Sequence, residues 1–287
     1  MKLQKNVLLA LHTSFNIGGP AKYFVEAKEE KDIVKAVEFA KQEKLPFFVL
    51  SGGSNVLAPD KGFEGVVIKC QMPDVKCKDC MIRAESGVEL EKIVDLAAEN
   101  SLTGLEWAAG IPGKVGGAVW GNAQAFGKNI SGTIEQVEVF DAKNLKAKKL
   151  NKKDCSYSEK DSLFKRNKDL IILEAVFKLK KGDKKEIKRI IEKNIDFRKQ
   201  KHPLEYGSAG SVFINQLGCP PSSLLIEEAG LKGKRVGWAA VSKKHAGFII
   251  NLGGAKAEDV LKLIELIKKE VEKKFNINLK EEIQIIL

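Results

Sequence analysis

The chain has 287 residues, 44% of them hydrophobic and 30% charged, with a formal net charge of +11. That length supports two domains and a substantial core, and the positive balance favours anionic partners such as nucleotides or acidic metabolites. No apolar run reaches bilayer length, MKLQKNVLLALHTS is too short in apolar residues for a signal peptide, and the lysines are scattered rather than gathered with aromatics into a nucleic-acid surface. The expectation is a cytoplasmic protein that binds neither membrane nor nucleic acid.

In chain order, the turn-rich TSFNIGGPA at residues 13–21 leads into Tyr23, Val25 and Ala27, which alternate with polar residues as a strand does. Ile33, Val34, Val37 and Ala40 recur at helical spacing over residues 29–43, and Pro46 ends that helix. A short apolar strand at 47–50 runs into the glycine turn SGGSN, Ser51 to Asn55. Strands are expected at 65–69 and 81–85, and a helix at 89–100 with Leu90, Ile93, Val94 and Ala97 on one face. Further strands follow at 137–141 and 170–180. A lysine-rich segment at 180–185 precedes a helix carrying Ile187, Ile190, Ile191 and Ile195, and a domain boundary is expected there. The last third offers a helix at 222–229 stopped by Gly230, strands at 236–241 and 247–251, a long amphipathic helix at 257–275, and a final strand at 283–287. The class is mixed α and β.

The stretch Gly104 to Gly127, GLEWAAGIPGKVGGAVWGNAQAFG, holds seven glycines among 24 residues yet keeps Trp107, Ile111, Val115, Val119 and Trp120. Glycine permits both positive φ and close backbone approach. SGGSN and GIPGKVGG each read either as a structural turn or as an anion-binding nest of backbone N–H groups. The pair favours a nucleotide cofactor held at its pyrophosphate. Neither matches the dinucleotide fingerprint or the P-loop, since Val115 stands where a magnesium-binding hydroxyl belongs.

Ser211 in SAGSVF reads as a locally bonded turn serine or as a proton donor to a substrate carbon. Glu281 and Glu282 read as a solvated strand entry or as a cleft carboxylate. The five cysteines, Cys70, Cys77, Cys80, Cys155 and Cys219, suggest reduced thiols. Cys77 and Cys80 form a CxxC without a second ligand pair, and His12, His202 and His245 lie far apart. It reads as an incidental loop pair, with redox or metal chemistry less favoured, so no metal is expected.

Eight blocks in order, TSFNIGGPA, LSGGSNVL, GLEWAAGIPGKVGGAVWGNAQAFG, DSLFK, PLEYGSAGSVF, LIEEAGLKGKRVG, VSKKHAGFIIN and LKEEIQII, resemble the UDP-N-acetylenolpyruvoylglucosamine reductase family, in its shorter form. The resemblance implies an α+β protein: an FAD-binding domain of the vanillyl-alcohol-oxidase type over residues 1–183, in subdomains of about 1–57 and 58–183, then a substrate domain over 184–287. It implies FAD as cofactor, NADPH as hydride donor, and a UDP-sugar enolpyruvyl ether as substrate, in a monomer that makes a peptidoglycan precursor. An oxidase or altered reductase on the same fold is the alternative.

By the same resemblance Ser51, Gly52, Gly53, Ser54, Asn55 and Val56, with Gly110, Ile111, Pro112, Gly113, Lys114, Gly116 and Gly117, cradle the FAD pyrophosphate. Asn122, Ala123 and Gly127 line the rest of the cofactor. Ser211 protonates the substrate carbon, Glu282 is the catalytic glutamate, and Lys160 stands where the family has the arginine that clamps the substrate carboxylate. Arg198, Lys201, Tyr206 and Asn215 bind substrate, with Arg198 and Lys201 facing the diphosphate or, equally, forming a solvated basic helix end. The chain departs from the pattern at His12, Gly121, Gln124, Glu159, Lys160, Ile214 and Ala240. Gln124 replaces a usual glycine, and Glu159 a usual tyrosine. Lysine for arginine keeps the charge but loses the two-pronged fork.

Overall fold

The computed structural model describes residues 1–286. The C-terminal end of the strand expected at 283–287, Leu287, lies outside the described residues. The class is α+β. The chain divides into two compact units: residues 1–4, 23–52 and 65–198 form one, and residues 5–22, 53–64 and 199–287 the other. The division falls after Arg198, whereas the lysine-rich segment suggested 183/184. The helix Lys184–Lys201 explains the difference: its Ile187 is buried, and its Asn194 and Arg198 bond backbone carbonyls at Glu106, Trp107 and Ala109. Side chains, not composition, tie that helix to the first unit.

The first unit is built on a five-stranded antiparallel sheet in the order Lys146–Asn151, Ile134–Asp141, Leu170–Lys178, Met81–Glu85, Val75–Lys78. Alternate residues of a strand face opposite sides, and here both sides are buried. Leu170, Ile172, Val137 and Val139 enter one core with the helix Leu90–Glu99. Ile171, Leu173 and Phe140 enter another with Ile33, Ala36, Val37 and Ala40 of the helix Glu30–Gln42. That helix also covers a sheet in which Phe47–Leu50 runs parallel to Phe63–Cys70.

The second unit has a four-stranded antiparallel sheet in the order Gly207–Ser211, Phe248–Asn251, Ala239–Val241, Arg235–Val236. The helix Ala257–Phe275 packs Val260, Leu263, Ile264, Ile267 and Val271 into its core. Asp60 accepts the N–H groups of Ala257 and Glu258 at that helix's first turn, where a carboxylate is stabilised. Gln284–Ile285 pairs in parallel with Val56–Leu57.

Two features differ from expectation. The single strand at 236–241 is a hairpin, because Gly237 takes φ +53 and reverses the chain between Val236 and Ala239. Leu3–Leu8, Val75–Lys78 and Lys146–Asn151 are additional strands. They are short or lysine-rich and only partly buried, so their pattern is too weak to mark them as strands.

Candidate cofactor and active site

In the first unit, SGGSN begins where the strand Phe47–Leu50 ends. Ser51 Oγ accepts the N–H of Gly117 at 3.0 Å. A Cβ on Gly52 would stand 2.8 Å from Gly113 Cα and 3.2 Å from Lys114 N, so the two glycine turns touch through bare backbone. A Cβ on Gly116 would stand 2.8 Å from Ser86 Cβ. The N–H groups of Val115 and Gly116 donate to Val88 and Ser86 carbonyls. Gly116 and Gly117 therefore serve closeness, and their own N–H groups are spent on protein rather than offered to an anion. Gly110 and Gly113 take φ +70 and +125, with half-buried Ile111 and exposed Pro112 between them. Lys114 is nearly buried, its ammonium bonding Gln71 Oε1 and lying 3.6 Å from Glu89. Burial lowers the pKa of Lys69, and the nearby Lys114 cation lowers it further.

The helix Val115–Trp120 leads from this cradle to Asn122, which is 2% exposed and takes φ +46. Its Nδ2 donates to Ser158 O at 2.7 Å, and its Oδ1 accepts from Ser131 N. Ala123 is tied by its N–H to Ala118 O. Gln124–Ala125 pairs with Lys128–Asn129 around a turn in which Phe126 and Gly127 both take positive φ, and a Cβ on Gly127 would meet nothing within 4 Å. Beside this hairpin lies a second tight turn, closed by reciprocal bonds between Ser158 and Asp161. Glu159 and Lys160 are its central residues. Gln124 Nε2 donates to Glu159 Oε1, Ser162 Oγ to Trp120 O, and Lys165 Nζ to Lys160 O. Lys165 also lies over the Trp120 ring, and Arg166 bonds Asp161 and Ser156 O.

In the second unit, Ser211 ends the strand Gly207–Ser211 opposite Phe248. The next residue, Val212, accepts the N–H of Glu282 at 2.7 Å, and Phe213 bridges Glu281. Ser211 and Glu282 thus sit on adjacent extended segments. The Glu281 carboxylate pairs with Lys268 at 3.0 Å, and the Glu282 N–H bonds Val212 O. His202, His245 and Phe248 form a ring cluster with centroids 5.0–5.5 Å apart. Burial holds the His245 imidazole below its usual pKa.

Residues 202–286 match the family model for the C-terminal domain of UDP-N-acetylenolpyruvoylglucosamine reductase, and residues 21–144 match that of an FAD-binding domain. The UDP-N-acetylenolpyruvoylglucosamine reductase of Clostridium novyi is 42% identical over 99% of this chain and 92% of its own. This chain belongs to the UDP-N-acetylenolpyruvoylglucosamine reductase family. The reductase of Caldicellulosiruptor bescii is 45% identical over 96% of this chain and 87% of its own. The crystal structure of the reductase from Thermus caldophilus superposes with a TM-score of 0.85 at 32% identity, covering all of both chains.

For a reductase of this family the residues fit FAD. Two glycine turns meet through backbone, and Gly127 borders open space. Ser51 and Gly52 lie with Gly110–Gly117 in the first unit. Gly53, Ser54, Asn55 and Val56 lie in the second, where Ser14 N–H bonds Gly53 O, Asn55 Nδ2 bonds Ala209 O, and Val56 pairs with Gln284.

Two expected substrate ligands make contacts within the protein, Arg198 through its guanidinium and Asn215 through its amide oxygen. Arg198 is 8% exposed, donates through Nε to Ala109 O at 2.9 Å and through Nη2 to Trp107 O, and stacks on Phe126 at 5.3 Å. It braces the glycine stretch instead of facing solvent as a diphosphate ligand, because its position in the helix turns it inward. Asn215 Oδ1 accepts both the N–H and the hydroxyl of Ser222, fixing the start of the helix Ser222–Glu228. Tyr206 and Lys201 are exposed. Ser51 Oγ as a clamp and the Asn122–Ser158 bond carry no sequence signal, since their partners are 66 and 36 residues away. All five cysteines are free, and no group of three or more potential metal ligands occurs among the described residues.

Proposed function

We propose that this chain is an NADPH-dependent flavoenzyme that reduces the enolpyruvyl ether of UDP-N-acetylglucosamine enolpyruvate to the lactyl ether of UDP-N-acetylmuramate. Membership in the family and the match of residues 21–144 to an FAD-binding domain support it. The observation that carries the catalytic reading is the bond from Glu282 N–H to Val212 O, which joins the segments of the proton donor and the catalytic glutamate. The FAD pyrophosphate is assigned to Ser51–Val56 and Gly110–Lys114, with Gly116 and Gly117 letting the backbone approach closely, and the ring end to Asn122, Ala123 and Gly127. FAD held there would supply two-electron, hydride-transfer chemistry, with NADPH as the hydride donor.

The residues supply what such a reduction needs. A hydride and a proton add across the enolpyruvyl double bond, and negative charge develops toward the substrate carboxylate. Lys160 is assigned as the cation for that carboxylate, since a fixed charge stabilises developing negative charge. The Ser211 hydroxyl gives the proton to the carbon beside the ether oxygen. Glu282 is assigned to orient that donor, and Lys201 and Tyr206 to hold the sugar nucleotide. The domains act as an FAD-binding part and a substrate part, in a cytoplasmic monomer serving peptidoglycan precursor synthesis and, through it, cell shape and division.

The test is a visible absorption spectrum of the purified holoprotein. NADPH should bleach the flavin, and the enolpyruvyl sugar nucleotide should restore it. Ser211→Ala should leave the bleaching intact and slow the restoration by at least about 10²-fold. A flavin that oxygen reoxidises and the sugar nucleotide does not would replace this reading with an oxidase on the same fold.

A further inference from the structure

Two side chains that join no hydrophobic core meet beside Lys160. Gln124 stands on the first strand of its hairpin, and its amide donates to Glu159 Oε1 in the Ser158–Asp161 turn. Lys160 follows directly and takes φ +51, which costs a non-glycine residue roughly 1–2 kcal/mol. Such an outlier persists where its surroundings over-determine it. Three contacts do so here: Asn122 to Ser158 O, Lys165 to Lys160 O, and Gln124 to Glu159. The first two grip backbone. The third grips the acidic side chain next to Lys160.

We infer that Gln124 and Glu159 form a latch that positions Lys160 for an anionic substrate and turns the Glu159 carboxylate away from it. The inference rests on the assignment of Lys160 to the substrate carboxylate. Without the amide donor, Glu159 is a movable negative charge one residue from the ammonium. It would then compete for Lys160 and repel an incoming carboxylate. Gln124 and Glu159 are positioning residues, so their mark falls on the carboxylate-bearing substrate and not on the NADPH step.

A double-mutant cycle on the holoenzyme tests this. Gln124→Ala and Glu159→Ala should each raise KM for the enolpyruvyl sugar nucleotide about three- to tenfold, the range for an exposed bond to a charged group. The double variant should be no worse than either single one. Glu159→Gln keeps an acceptor and should hold KM within about twofold. The rate of flavin bleaching by NADPH should stay constant throughout. In hydrogen exchange, Gln124→Ala should speed the Ser158 and Asp161 amides, a readout independent of substrate. Unchanged exchange overturns the latch. Unchanged KM in a wild-type background that responds to the substrate overturns this inference alone, as does a KM rise matched by slower NADPH bleaching. A wild-type flavin that the sugar nucleotide never reoxidises overturns the functional reading, and this inference falls with it.

Discussion

The two halves of the stretch from Gly104 to Gly127 are held by different means. The cradle half is closed on bare glycine backbone: Gly52 against the Gly113 backbone, Gly116 against the Ser86 side chain, and the Gly117 N–H on the Ser51 hydroxyl. The half after Trp120 is held by side chains reaching across sequence: Asn122 and Gln124 to the Ser158–Asp161 turn, and Arg198 over Phe126. Where a Cβ would strike neighbouring backbone, as at Gly52, only glycine fits. A side-chain contact can be rebuilt by changing both partners. The cradle is therefore the part least open to substitution, while the turn beside it can change together with its partners.

The sharpest way to break that contrast is Gly52→Val. Its Cβ would press on Gly113 backbone, which cannot move as a side chain can. The expected outcome is a protein purified without flavin and less stable by about 3 kcal/mol, read by absorption and urea unfolding. A Gly52→Val protein that retains FAD would show the cradle to be as adaptable as the turn.

On the adaptable side, Lys160→Ala should lower kcat on the order of 10²–10³-fold, while Lys160→Arg should keep or raise it by restoring the fork. Arg198→Met tests the brace between the halves. Losing two bonds to Ala109 and Trp107 carbonyls should cost about 2 kcal/mol of stability in urea unfolding. A higher KM for the sugar nucleotide at unchanged stability would instead return Arg198 to the diphosphate.

The smallest effect concerns pH. Burial lowers the His245 pKa below 6.5, so the unfolded chain takes up the proton first. Stability is full above about pH 6.5 and falls as pH drops below that value toward the folded pKa, by at most about 1.4 kcal/mol per pH unit. His245→Gln should flatten that part of the stability profile in thermal unfolding between pH 7 and 5.

The legible parts of the fold were those whose pattern serves burial. Ile33, Val37 and Ala40 repeat at helical spacing because one face of Glu30–Gln42 meets a core, and the helix Ala257–Phe275 reads for the same reason. Lys146–Asn151 and Val75–Lys78 were not legible. They are the outer strands of their sheet, lysine-rich or alternating at the surface, and hydrogen bonding to a neighbour makes them strands rather than any period of their own. In the candidate site, the glycine turns were legible as a pair. The inward turn of Arg198, the capture of Asn215 by Ser222 and the meeting of Gln124 with Glu159 were not.

The sequence by itself determined the family, the α+β class, and which residues have the chemistry of a flavin reductase, because glycine, serine, glutamate and lysine carry those properties wherever they are placed. Only the tertiary structure decided which of those groups remain available. A guanidinium that reaches two buried carbonyls is no longer a surface cation, and a carboxylate held by an amide no longer competes for its neighbour. Those choices depend on distances across 35 to 91 residues, which local pattern does not encode.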